Sequence, residues 1–256
     1  ANTTNTYGGN NQGGLTTTSN IGIFGGYQEN VYGGGLKAET TTTNINANYG
    51  FINNLYGGGS EAGATTTNVN LGSAFINNAF GGSNISGNVT DSYIKNLANS
   101  TNSFVDITAT YKESSQHNSQ ATNYKSSQEL TIDIKNNGSS TITTWDLYLI
   151  TSEGFVGANW SSAKIEALGN GYHIDETNQY YGTNQINSGN SYQISFHIHS
   201  LVPYEDFQIY GYSFVGFDAN GNKYTNSLLV NNLYGGNNEG GKTTNTQIDL
   251  TTGKIN

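Results

Sequence analysis

The 256-residue sequence contains no cysteine and no arginine, a single proline (Pro203), and charged side chains at only 11% of positions. Without cysteine there is no disulfide framework, no thiolate metal site and no cysteine nucleophile. The nine basic residues are all lysine and the net charge is −9, so the clustered cations that neutralise nucleic acid or an anionic membrane are missing. No run of about eighteen apolar residues occurs, so no membrane insertion is expected. Ala1 opens directly into repetitive sequence with no basic and apolar leader, the pattern expected of a mature chain or an excised fragment. Low charge together with 12% aromatic residues argues against disorder, which favours charge-rich, aromatic-poor chains. Glycine is abundant at 34 residues, alongside asparagine, threonine and serine. These residues disfavour helix interiors and favour turns and strands, so an all-β chain is expected.

Self-similarity organises the first hundred residues. Thr43-Asn44-Ile45-Asn46 recurs as Thr67-Asn68-Val69-Asn70, and Phe51-Ile52-Asn53-Asn54-Leu55-Tyr56-Gly57-Gly58 recurs as Phe75-Ile76-Asn77-Asn78-Ala79-Phe80-Gly81-Gly82. A unit of about 24 residues cannot bury its own apolar face, so units must stack. The expected architecture is a right-handed parallel β-helix with an inward column of Ile, Val and Phe, ladders of Asn and Thr, and glycine corners free to take positive φ. A propeller blade would need nearly twice the repeat length. A shorter step leads to Tyr93-Ile94-Lys95-Asn96-Leu97, and the pattern returns at Leu228-Leu229-Val230-Asn231-Asn232-Leu233-Tyr234. Three segments follow: helix repeats over 1–100, an insertion over 101–226, and resumed repeats over 227–256.

The insertion holds all four histidines and both tryptophans. Leu130, Ile132 and Ile134 alternate with polar residues, as do Trp145, Leu147 and Leu149 after the turn Asn136-Asn137-Gly138-Ser139, which predicts a hairpin. Further alternation over 192–198 and 207–214 raises the expectation to a β-sandwich-like insertion of six to eight strands, with degenerate helix coils as the alternative.

Within it, Ile132-Asp133-Ile134-Lys135-Asn136-Asn137-Gly138-Ser139-Ser140, Ile142-Thr143-Thr144-Trp145, Ala158-Asn159-Trp160-Ser161, Tyr180-Tyr181-Gly182 and Ile186-Asn187-Ser188-Gly189 resemble the family 2 carbohydrate-binding modules. The resemblance implies a core role for Trp145 and a cellulose platform formed by Trp160, Tyr180 or Tyr181, and Tyr124. The family's common cysteine pair is absent here. In composition and architecture the whole chain also resembles the tapirins, cellulose-adhesion proteins of the bacterial surface. Both resemblances imply a secreted or surface-attached protein that binds cellulose or a related plant polysaccharide without cleaving it. A neutral glycan suits the weak charge, because aromatic rings cover the apolar face of a sugar and amides satisfy its hydroxyls. The recurring Tyr32, Tyr56, Phe80 and Tyr234 form either a second exposed strip or an internal stack.

Other chemistry finds little support. His197 and His199 share a strand face without a third ligand and read as a solvent-facing pair. Asp218-Ala219-Asn220-Gly221-Asn222 partly matches a calcium loop but lacks the bidentate Glu and reads as a turn. No cofactor is expected, and a monomer is. The repeat carboxylates Glu29, Glu39, Glu61, Asp91, Glu239 and Asp249 are scattered, whereas glycosidases pair two across the bond. A structural surface repeat or adhesin is the main alternative, and a β-helical polysaccharide lyase or hydrolase the lesser one.

Overall fold

The computed structural model describes residues 2–96, 103–114, 124–168, 171–178, 182–250 and 254–255. It is all-β, and the only helical turn among these residues is a 3-10 turn at Tyr204–Asp206 behind Pro203. Two compact units divide the chain: Ala1–Asn99 with Ser227–Asn256, and Ser100–Asn226.

The first unit is a parallel β-solenoid. Its strands are β1 (Asn2–Tyr7), β2 (Thr16–Tyr32), β3 (Thr40–Tyr56), β4 (Ala64–Leu71), β5 (Phe75–Phe80) and β6 (Val89–Asn96). Nine strands of the second unit follow, and β16 (Leu229–Tyr234), β17 (Thr243–Asp249) and β18 (Lys254–Ile255) return to the first. The long strands β2 and β3 each serve two faces and bend where Gly25, Gly26 and Gly50 take φ of 106°, 77° and 104°, a region closed to most side chains. On one face Asn20, Asn44 and Asn68 align, and Ile45, Val69 and Ile94 form the inward column beside them, at most 1% exposed. On the other, Ile52, Ile76 and Val230 are fully buried in register. The alternation places every second residue outward.

The expected amide ladders are present. Asn54 Nδ2 donates to Asn30 Oδ1 at 2.9 Å and Asn78 Nδ2 to Asn54 Oδ1 at 2.9 Å. Asn232 continues that column onto Asn78 at 3.0 Å across a sequence step of 154. Asn54→Ala is expected to remove two of these bonds and cost about 1–2 kcal/mol, read as a lower denaturant midpoint with an unchanged slope.

Two details differ from the sequence expectation. Tyr93-Ile94 pairs with Asn68-Val69 on the first face and does not repeat Phe75-Ile76. The apparent shorter step came from matching aromatic-Ile pairs that lie on different faces. The glycine after each corner ring also has another reason than positive φ. A Cβ on Gly33 would stand 2.2 Å from the Gly57 carbonyl oxygen, and one on Gly57 2.2 Å from that of Gly81. Neither glycine is among those with positive φ, so close approach between coils requires them.

The second unit comprises β7 (Ser103–Glu113), β8 (Ser126–Asn136), β9 (Ile142–Thr151), β10 (Gly154–Asn159), β11 (Ala163–Ala167), β12 (Gly171–Asn178), β13 (Ser191–Ser200), β14 (Ile209–Asp218) and β15 (Lys223–Thr225). One sheet runs β10-β13-β8-β7 and the other β15-β14-β9-β12-β11, joined where β15 pairs with the start of β7. Side chains from the two sheets share one core, including Leu130, Ile132, Phe196, Trp145, Leu147 and Phe214. This is a sandwich of antiparallel sheets.

The predicted hairpin between β8 and β9 does not form: β8 pairs with β7 and β13, and β9 with β12 and β14. Their apolar faces meet across the core instead, and the turn between them is an inter-sheet crossing. Asn136 holds it, its Nδ2 donating to the carbonyls of Ser140 (2.8 Å) and Ile186 (2.9 Å) and its Oδ1 accepting from the Gly138 N–H at 2.9 Å. Turn chemistry marks where a chain reverses but not which sheet it enters.

Candidate functional site

Strand β10 is the edge of its sheet, and its register on β13 builds an exposed aromatic group. Phe155 lies opposite His199 and Ala158 opposite His197, with a register shift between Val156 and Ala158. In a regular strand, Phe155 and Trp160 would project to opposite faces. The bulge at Gly157 inserts one residue and returns both to the histidine side. Glycine is needed there, because a Cβ would meet His199 Nε2 at 2.5 Å and His197 Nδ1 at 2.9 Å.

The expectation of solvent-facing histidines is therefore corrected. His197 and His199 are each 2% exposed, lying beneath the edge strand and neighbouring rings. His199 Nδ1 lies 2.9 Å from Ser127 Oγ. The Trp160 ring stacks on His197, with centroids 5.8 Å apart and planes at 26°. Tyr124 lies 4.4 Å from His199, and Phe155 lies 5.2 Å from the same imidazole. Trp160, Phe155 and Tyr124 form a ridge over the two imidazoles, whose centroids lie 4.7 Å apart. Trp160 is 46% exposed and Phe155 37%, while Tyr124 is half-buried.

The backbone fixes Trp160 in this position. Its N–H donates to Ser195 O at 3.1 Å. Asn159 Oδ1 accepts from the Ser161 N–H at 3.0 Å, and Asn159 Nδ2 donates to Ala163 O at 2.7 Å, closing the turn that follows. The same face continues through Gln193 on β13 and Asp133 and Glu129 on β8. Gln193 Nε2 donates to Asp133 at 3.0 Å, and Glu129 pairs with Lys112 at 3.0 Å.

The other sequence-derived positions fall elsewhere. Tyr180 and Tyr181 lie outside the described residues. Trp145 is 2% exposed, and its Nε1–H donates to Asn184 O at 2.7 Å in the sandwich core. Tyr32, Tyr56, Phe80 and Tyr234 stack face to face at 5.0, 5.1 and 4.7 Å, with Tyr7 beginning the column 4.8 Å from Tyr32. Each inner ring covers its neighbours, leaving Tyr32, Tyr56 and Phe80 at 4–8% exposure; only Tyr234 is open, at 47%. Burial pushes the Tyr56 phenol up to about 12. Phe155 was missed in the sequence. Its signal is the glycine two positions later, which breaks alternation before Trp160.

Charged groups gather on the other sheet. His173 Nε2 lies 2.6 Å from Asp146 Oδ1, and this bond raises the imidazole pKa above its ordinary 6.5. A raised folded-state value means the pair stabilises fully below about pH 6.5 and loses that contribution as pH climbs through the folded pKa. The melting-temperature gap between wild type and His173→Gln is therefore expected to be widest near pH 5.5 and to close towards pH 9. Asp218 is committed to its turn, accepting from Asn222 Nδ2 (2.8 Å) and from the Asn220 and Asn222 N–H groups (2.9 Å each). The Asn222 side chain leads in holding its carboxyl below the usual range. Among the described residues no three His, Cys, Asp or Glu side chains are grouped to hold a metal, and no helix is long and apolar enough to cross a membrane.

No family model matches this chain, and no curated protein does. Among solved structures it is similar to chitinase ChiA74 from Bacillus thuringiensis, at 25% identity over 42% of this chain and 15% of that one, with TM-score 0.29. It is also similar to the chitin-binding domain of Chi18aC from Streptomyces coelicolor, at 17% identity over 46% of this chain and 93% of that domain, with TM-score 0.29. A third is the GH20 exo-β-N-acetylglucosaminidase of Vibrio harveyi, at 12% identity over 52% and 18% of the two chains, with TM-score 0.33.

Proposed function

We propose that this chain binds an extended, neutral polysaccharide without cleaving it, through the ridge of Trp160, Phe155 and Tyr124, and that cellulose is its ligand. The observation carrying this reading is the exposure of Trp160 and Phe155 on one face of a fixed edge strand. An exposed indole whose other face rests on His197 cannot turn into the core, and it is preorganised to cover the C–H face of a sugar. The neighbouring carboxylates support binding over hydrolysis, since Glu129 is paired with Lys112 and Asp133 with Gln193. In this reading the protein works outside the cell, anchoring a cell or an enzyme assembly to plant material, and needs no cofactor.

The two tryptophans offer a direct test, one being buried and the other exposed. In a Trp145→Phe background, Trp160 is the sole indole. Soluble cello-oligosaccharide is expected to shift its emission to the blue and shield it from acrylamide. Unchanged quenching at saturating ligand, together with no retention on cellulose, would remove the proposal. Release of reducing sugar would replace it with a hydrolase.

A further inference from the structure

The solenoid carries its own aromatic side chains in the open, and none belongs to the ridge. Phe24 is 66% exposed and Tyr93 38%. Phe24 lies over Gly22, where a Cβ would stand 2.5 Å from the ring's Cε2. Gly22 is in register with Asn46, so the ring occupies the place where the Asn46–Asn70 ladder would otherwise continue. Tyr93 is in register with Asn68 and terminates the neighbouring ladder of Asn20, Asn44 and Asn68. Gly22 and Tyr93 are three strand spacings apart, roughly 14 Å.

Between the rings the face is uncharged: residues 16–23, 40–47 and 64–71 contain no Asp, Glu, Lys or Arg. Each ladder bond uses one of an amide's two N–H groups and one of its oxygen lone pairs. The outward remainder repeats with the strands, about every 4.8 Å, a spacing close to the advance of one sugar in an extended β-linked chain. Flat rings at two ends of a regular amide field suit a neutral glycan; the charges beside Tyr93 on its own strand are Asp91 and Lys95, one on each side and opposite in sign.

We propose that this face, between Phe24 and Tyr93, is a second polysaccharide platform lying in a different unit from the ridge. It rests on the same reading of the chain as a glycan binder, so the test separates the two. Depletion isotherms on microcrystalline cellulose would compare the 256-residue chain with Trp160→Ala, with Phe24→Ala/Tyr93→Ala, and with the triple variant. The platform predicts about a tenfold loss of affinity in the double variant and loss of whatever retention Trp160→Ala keeps in the triple one. Wild-type affinity in the double variant, with the triple variant matching Trp160→Ala, would overturn the platform and leave the ridge standing. Weakening by the double variant but none by Trp160→Ala would uphold the platform and remove the ridge. No retention of the wild type on cellulose, xylan or chitin would overturn both. Phe24→Thr/Tyr93→Thr, which keeps strand propensity, gives the same readout should alanine disturb the strands.

Discussion

Trp160→Ala is expected to weaken binding to cellulose about thirtyfold while leaving the fold in place. The size follows from area. Covering roughly 100 Å² of indole at about 25 cal/mol per Å² contributes about 2.5 kcal/mol, and ordering the ligand offsets part of it. A net of about 2 kcal/mol corresponds to that fold-change. The ring stands outside the core, so the substitution uncovers only His197 and part of the edge strand. Isothermal titration with a soluble cello-oligosaccharide, paired with thermal unfolding, separates the two effects. A drop in affinity accompanied by collapse of the melting transition would mark Trp160 as structural. Phe155→Ala should follow with a smaller loss, because phenylalanine presents less surface and is 37% exposed.

The second large effect falls on the solenoid. Gly57→Val is expected to destabilise it by more than about 4 kcal/mol, in the range reserved for overpacked cores and forced backbone shifts. Even the first atom of a side chain would stand 2.2 Å from the Gly81 carbonyl oxygen, and the Thr67 Cβ would be 3.0 Å away. Relief would require separating two coils, which breaks the backbone bond from the Gly57 N–H to Phe80 O (2.8 Å) and loosens the Tyr56–Phe80 stack. Loss of soluble protein, or of the solenoid's share of the far-ultraviolet β signal, is the expected readout. Gly13→Ala is the control, since nothing lies within 4 Å of a Cβ there. A Gly57→Val protein with wild-type stability would show that the coils stack more loosely than described.

Much of this was legible in the residues, for identifiable reasons. The solenoid announces itself because every coil solves the same packing problem, so Ile45 and Val69, or Asn54 and Asn78, must recur at one period. The inward set of the sandwich is equally plain, since Leu130, Ile132 and Ile134 obey strand alternation without exception. Pairing was not legible. The stretch from Asn136 to Ser140 has every mark of a turn, yet the choice between hairpin and crossing rests with tertiary contacts such as Asn136 to Ile186. The ridge shows the same limit on a smaller scale. Trp160 stood out among polar neighbours, whereas Phe155 is brought beside it only by a bulge that alternation cannot reveal. His197 and His199 looked exposed because their strand neighbours are buried. Their own burial comes from an edge strand distant in sequence, lying on them through a glycine.

The hydrogen bonds from Asn231 to Asn77 and from Asn245 to Asp91 span 154 residues, yet they have the geometry of bonds between adjacent coils. The interruption between β6 and β16 therefore works as a graft point: the inserted sequence need only bring its two ends together, and the rungs on either side close as neighbours. Insertions of different sequence, each with its own binding chemistry, are compatible with the same flanking coils.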